Sequence, residues 1–196
     1  MDESLFEYGL SIAQELNTRL NLKNKVTLTF NQRDVPHTTR SIVRLLAKYG
    51  VRAVSIGVNG ASAPPAVPPS PMPRNGAFIW RDSTSSSEVI SFIHPGGYGG
   101  IEVSDCVMIP GFDHALATMF RGDNAGPPNT LEVTYTFKHL KEEFPNALIK
   151  ASSFDDFVDP LVAAVESGEV VLPIVESEIG DTWIYGGMSS TTTTKS

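Results

Sequence analysis

The sequence predicts an α/β fold carried by a mostly parallel sheet, open or closed into a barrel. Three observations predict it. Short β-branched and aromatic runs alternate with helical stretches of 3.6-residue period. Polar and acidic residues gather just after those runs. A Pro-rich loop and a hairpin-like pair of strands interrupt the alternation without replacing it.

The elements follow in order. "LFEYGLSIAQELNTRL" is amphipathic, so the chain opens on a helix. "KVTLTFN" (Lys25 to Asn31) reads as the first strand. "TTRSIVRLLAKYG" puts Ile42, Leu45, Leu46 and Tyr49 on one helical face and stops at Gly50. "VRAVSIGV" (Val51 to Val58) is the second strand, completing a βαβ unit. "NGASAPPAVPPSPMPRNG" is an extended loop that needs something to lie against. "AFIW" and "EVISFIH" pair as a hairpin across "RDSTSSS". A second unit opens with the helix "TLEVTYTFKHLKEEF", where Asn129 and Glu132 have capping-box spacing. "NALIKAS" then reads as a third strand and "FDDFVDPLVAAVESG" as a helix capped by Ser153 and kinked at Pro160. "EVVLPIV" is the fourth strand. Residues 1–187 form one domain and residues 188–196 a disordered Ser/Thr-rich tail.

Composition narrows the function. The chain has 196 residues, 41% of them hydrophobic, enough for one sizeable core. Its formal charge is −7, from 22 acids against 15 bases, and no two Lys or Arg residues are adjacent. Nucleic acid and anionic membrane surfaces both call for a basic stripe, so neither is an expected partner. No apolar stretch nears the ~20 residues of a membrane span, and the acidic "MDESLFEYGL" is unlike a signal peptide. The single Cys106 permits no internal disulfide, which favours a reducing, cytoplasmic setting.

The polar residues after strands are the candidate site. Asp34 follows the first strand, Asn59 the second, Ser152 and Ser153 the third, and Glu176, Glu178 and Asp181 the fourth. His94 follows the second arm of the hairpin, with Tyr98 close behind in "HPGGYGG". In parallel α/β sheets the C-terminal strand ends form the active face. Each residue also has a plainer use. Asp34 can cap the next turn, His94 can be a bonded loop histidine, and Asp123 and Asn124 in "RGDNAGPP" can be turn formers. Trp183 and Tyr185 can pack in the core or stack on a sugar. His139 falls mid-helix as a surface residue. "HPGGYGG" has neither the strand–turn–helix context nor the lysine of a nucleotide loop.

Five segments together carry a family resemblance: "NQRDVPHTTRSIVRLLAKYGVRAVSIGVNGASAPPAVP", "FIHPGGYGG", "RGDNAGPP", "EEFPNALIKASSFDDFV" and "EIGDTWIYG". In this order, from Val26 to Gly186, the chain resembles the domain-of-unknown-function 5054 family, treated as related to the α-mannosidases of glycoside hydrolase family 38. The resemblance implies a (β/α)7-type barrel and a zinc-assisted retaining glycosidase acting on a carbohydrate. "RDVPHTT" is similar to the turn that carries that family's nucleophile and metal ligand, which makes Asp34 the candidate for both. Val35-Pro36-His37 departs from the family's Pro-Phe-Gly, and no His follows at its spacing. Ile179-Gly180-Asp181-Thr182-Trp183 is similar to the segment with a substrate-contacting acid, so Asp181 becomes the second catalytic candidate. Asn59, His94, Tyr98, Asp123, Asn124, Glu178, Trp183 and Tyr185 are the expected substrate contacts.

Such enzymes begin on a strand with a His-x-Asp metal motif. None of His37, His94, His114 and His139 is followed by Asp two residues on. The chain is therefore expected to be a partial copy of the barrel, with Zn²⁺ bound in the complete family but not by this chain alone. It is also expected to be inactive alone and to self-associate through unpaired barrel edges. A metal-dependent carbohydrate deacetylase and a non-catalytic remnant that binds carbohydrate or a partner are the alternatives.

Overall fold

Asp2 caps the first helix by accepting a hydrogen bond from the Leu5 amide, and α1 runs Glu3–Arg19. The computed structural model describes residues 2–22, 29–34, 39–58, 76–94, 98–121 and 125–179. Phe6 and Leu10 of α1 rest on the core, while Glu3 and Glu7 pair with Arg44 and Lys48 of the next helix. After β1 (Thr29–Asp34) come α2 (Ile42–Lys48) and β2 (Ala53–Val58), as the periodicity predicts. The hairpin also forms: β3 (Ala77–Asp82) and β4 (Ser87–His94) pair antiparallel, with Asp82 opposite Ser87. Asp82 closes the turn by accepting from the hydroxyls of Thr84 and Ser85.

One sheet organises the chain, in the order β1-β2-β4-β3-β7, with β7 at Ile174–Val175. Strands β1, β2 and β4 run parallel to one another. Strands β3 and β7 are parallel to each other and opposed to those three. Alternation along each strand separates two cores. On one face Val54, Ile56, Phe78, Trp80, Val89 and Ile93 meet Ile42, Val43 and Leu46 of α2. On the other, Ala53, Ala77, Ile90 and Phe92 meet α4 (Phe154–Glu166) through Phe157, Val158 and Leu161. A ribbon of β5 (Val107–Met108) and β6 (Ala115–Leu116) closes over that second core.

The predicted capping box of Asn129 with Glu132 opens α3 (Thr130–Glu143), and the predicted Ser153 cap opens α4, where it forms a second box with Asp156. Pro160 stands inside α4 without ending it. Two strand expectations are corrected. "NALIKAS" is not a strand: residues 148–153 form no ladder, and Leu148 is 88% exposed. The far edge of β2, where a strand after a crossover helix would pair, is already taken by β4. "EVVLPIV" contributes only the two-residue β7, which runs against β1, β2 and β4. Tertiary pairing decides both outcomes over local propensity. No helix among the described residues is long and apolar enough to cross a membrane.

Candidate functional site

The register of the parallel strands builds the site. Arg33 of β1 lies beside Gly57 of β2, and Gly57 beside His94 of β4, so the three make one row across the sheet. That row shares a face with Phe92 and with Phe154, the first residue of α4. Gly57 leaves its place in the row to the Arg33 side chain. A Cβ at position 57 would overlap Arg33 Cδ and Nε and stand 3.1 Å from Tyr98 Cα. Glycine inside a strand marks such a close approach.

Arg33 spreads into this space. Its Nη2 donates to Ser55 Oγ at 2.9 Å, its Nη1 to the Gln32 carbonyl at 3.3 Å, and its guanidinium lies 5.4 Å from the centre of the Phe154 ring. Burial pulls its pKa down from 12.5 to about 10, because removing a cation from water disfavours the charged form. His94 is 2% exposed, and neither ring nitrogen has a hydrogen-bond partner among the described residues. Burial first, and the Arg33 charge second, lower its pKa to about 4, so at neutral pH the ring is uncharged.

Asp34 ends β1 with φ +76°, a left-handed conformation that Asp tolerates better than most residues. Tyr98 donates its hydroxyl to Asp34 Oδ1, tying the strand end to the chain that leaves β4. The next residue, Gly99, has φ +89°, and a Cβ there would crowd Thr118 and come within 3.2 Å of His94 Cε1. Thr118 N bonds the Gly100 carbonyl at 2.9 Å, so two chain segments close over the row. The Tyr98 ring packs edge-on against Phe120 at 4.7 Å. Beyond Phe120 lies a groove of about 440 Å³, lined by Arg121, Leu131, Glu132 and Tyr135 among others.

Asp34, His94 and Tyr98 are thus brought together at one end of the sheet. Glu178 is not. Its carboxylate accepts from the Arg40 amide at 2.6 Å, and Arg40 also reaches Asp82 and the Glu176 carbonyl. Asp82 stands opposite Ser87, at the start of the strand that His94 ends. At ~3.3 Å per residue that is about 20 Å from the row. The reversal of β7 is the reason: its C-terminal end faces away from those of β1, β2 and β4. Ser153 serves as the cap of α4. Asn59, Asp123, Asn124, Asp181, Trp183 and Tyr185 lie outside the described residues. His139 is not the surface residue expected of it: it stacks on Tyr135, and its side chain is 17% exposed.

Arg33 and Ser55 escaped the sequence reading, since a charged residue near a strand end looks solvated. Gly57 was the available signal, as a glycine inside an otherwise β-branched run. No three His, Cys, Asp or Glu side chains converge among the described residues. The charge acting on His94 is the Arg33 guanidinium, which opposes a second cation. These residues do not fit a zinc ion. No family model, curated protein or solved structure matches the chain.

Proposed function

We propose that the ends of β1, β2 and β4 form a glycoside hydrolase-like site on a (β/α)-type barrel, with Asp34 as the attacking carboxylate. The observation that carries this reading is the posture of Asp34. It sits at the C-terminal end of a parallel strand, in a left-handed backbone conformation, oriented by the Tyr98 hydroxyl. Backbone strain of this kind collects at functional sites and costs on the order of 1–3 kcal/mol. The resemblance to the α-mannosidase relatives supports the same residue independently, through the turn "RDVPHTT".

The chemistry asks for two carboxyls about 5 Å apart. Asp34 attacks the anomeric carbon as the glycosidic C–O bond breaks, and a second acid protonates the departing oxygen. That acid then takes a proton from the water that hydrolyses the glycosyl ester. The second acid is not Glu178, which stands at the opposite end of the sheet. Tyr98 holds the Asp34 carboxylate in line, and the Phe120 side of the groove offers apolar surface to a sugar face.

Hydrolysis of a p-nitrophenyl α-mannoside, combined with labelling by a fluorinated mannosyl fluoride, tests the reading. The site departs here from the expectation that the chain is inactive alone: the expected result is one added mannosyl mass on the peptide containing Asp34, with label and hydrolysis both lost in Asp34→Asn. Undiminished turnover by Asp34→Asn refutes it, as does a wild-type chain that is neither labelled nor active. Release of acetate from acetylated sugars without glycoside cleavage would move the chemistry to deacetylation.

A further inference from the structure

Arg33 is a half-buried cation without a counter-charge among the described residues. Arg40, Arg44, Arg52, Arg81 and Arg121 each pair with a carboxylate, and Arg19 stands exposed at the end of α1. Arg33 makes no ion pair among the described residues. Its guanidinium offers five N–H donors, and among the described residues two are spent, on Ser55 Oγ and a backbone carbonyl, both neutral. A buried charge is ordinarily paired, because leaving water costs it far more than neutral hydrogen bonds return.

A second, independent feature stands in the same row. His94 is 98% enclosed, by its 2% exposure, and both of its ring nitrogens are unpartnered among the described residues. The neutral ring keeps one N–H to donate. Thr118 Oγ1, packed against Gly99 beside the His94 ring, is likewise buried without a partner among the described residues. Gly57 puts no side chain between Arg33 and His94. A guanidinium fork, an imidazole and a hydroxyl thus converge at the strand ends, where ligands of parallel α/β sheets bind.

We propose that Arg33 receives an anionic oxygen group, a carboxylate or a phosphate, carried by the ligand of this site, with His94 and Thr118 as its neutral partners. The site then selects acidic ligands over neutral ones. The fork of Arg33 suits two oxygens of such a group, and the Phe154 ring lies 5.4 Å from it. That the ligand is a sugar rests on the glycosidase reading above; the preference for an anion does not.

The test compares binding of mannose, mannose 6-phosphate, glucuronate and inorganic phosphate to the whole chain by calorimetry, at low and high salt. At least one of the phosphate and carboxylate probes is expected to bind about tenfold or more tighter than mannose. Which of them does so identifies the group. Arg33→Met keeps the aliphatic stem and is expected to lose that preference. Arg33→Lys, which keeps the charge without the fork, is expected to retain part of it. Equal affinity of the wild type for mannose and every anionic probe overturns the proposal, and so does an anion preference that survives in Arg33→Met. The wild-type comparison needs no variant to fold. Anion binding without glycoside cleavage sinks the glycosidase reading alone; cleavage of neutral mannosides without anion preference sinks this one alone.

Discussion

Replacing Gly57 by Ala should destabilise the protein, against the usual direction for a strand. Gly57 lies within β2 and is not among the positive-φ glycines, so alanine suits its backbone. On backbone entropy alone the change would stabilise by about 0.5–1 kcal/mol. The new methyl group, however, would overlap Arg33 Cδ and Nε and press on Tyr98 Cα at 3.1 Å. Making room moves Arg33 off Ser55 Oγ and off the Phe154 ring. A hydrogen bond to a charged group is worth about 1.5–3 kcal/mol, and overpacking costs about 1–3 kcal/mol. These terms overlap, so the net expected loss is about 2 kcal/mol. Urea unfolding then shifts its midpoint down by about 1 M, for a slope near 2 kcal/mol per M. In an Arg33→Ala background the same Gly57→Ala change should cost less than about 1 kcal/mol, because its main obstacle is gone. A midpoint that stays or rises in Gly57→Ala refutes the reasoning, and an increment that is undiminished without Arg33 assigns the clash elsewhere.

Three further outcomes follow from the structure. His94 holds a pKa near 4 when folded, against an ordinary 6.5, so between these values the unfolded chain binds a proton that the folded one does not. Stability is therefore full above pH 6.5 and falls by about 3 kcal/mol as the pH drops to 4, and His94→Gln should flatten urea midpoints across that window. Asn129→Ala opens the capping box of α3 and should cost about 1 kcal/mol, read as faster amide exchange in the first turn of that helix. Leu148→Lys should change stability by less than about 0.5 kcal/mol, since the side chain is 88% exposed; a loss of 2 kcal/mol would restore "NALIKAS" as a buried strand.

The legible parts of the fold were those written in local chemistry. Asn129 with Glu132, and Ser153 as a cap, announce two helix starts, and "RDSTSSS" between apolar runs announces the hairpin. "NALIKAS" misled because its apolar content resembles a strand, while strandhood depends on a free edge, and β4 occupies the relevant one. The direction of β7 was illegible for the same reason, since only its partner β3 reverses it. At the site, Asp34, His94 and Tyr98 were found because they follow strands. Glu178 obeyed the same rule yet landed at the other end of the sheet, because position after a strand has meaning only once strand direction is known.

The pairing of β3 with β7 sets a timetable for synthesis. Ile79 and its partner Ile174 are separated by 95 residues, so β3 must wait for its neighbour while that length of chain is made. At ~5–20 residues per second the wait is on the order of 5–20 s. Throughout it, the segment holding Phe78 and Trp80 presents an open edge to every other nascent copy, and the Trp80 indole lacks the Ser177 carbonyl it later bonds at 3.0 Å. Yield during expression should thus depend on how crowded translation is and on chaperones that shield this edge.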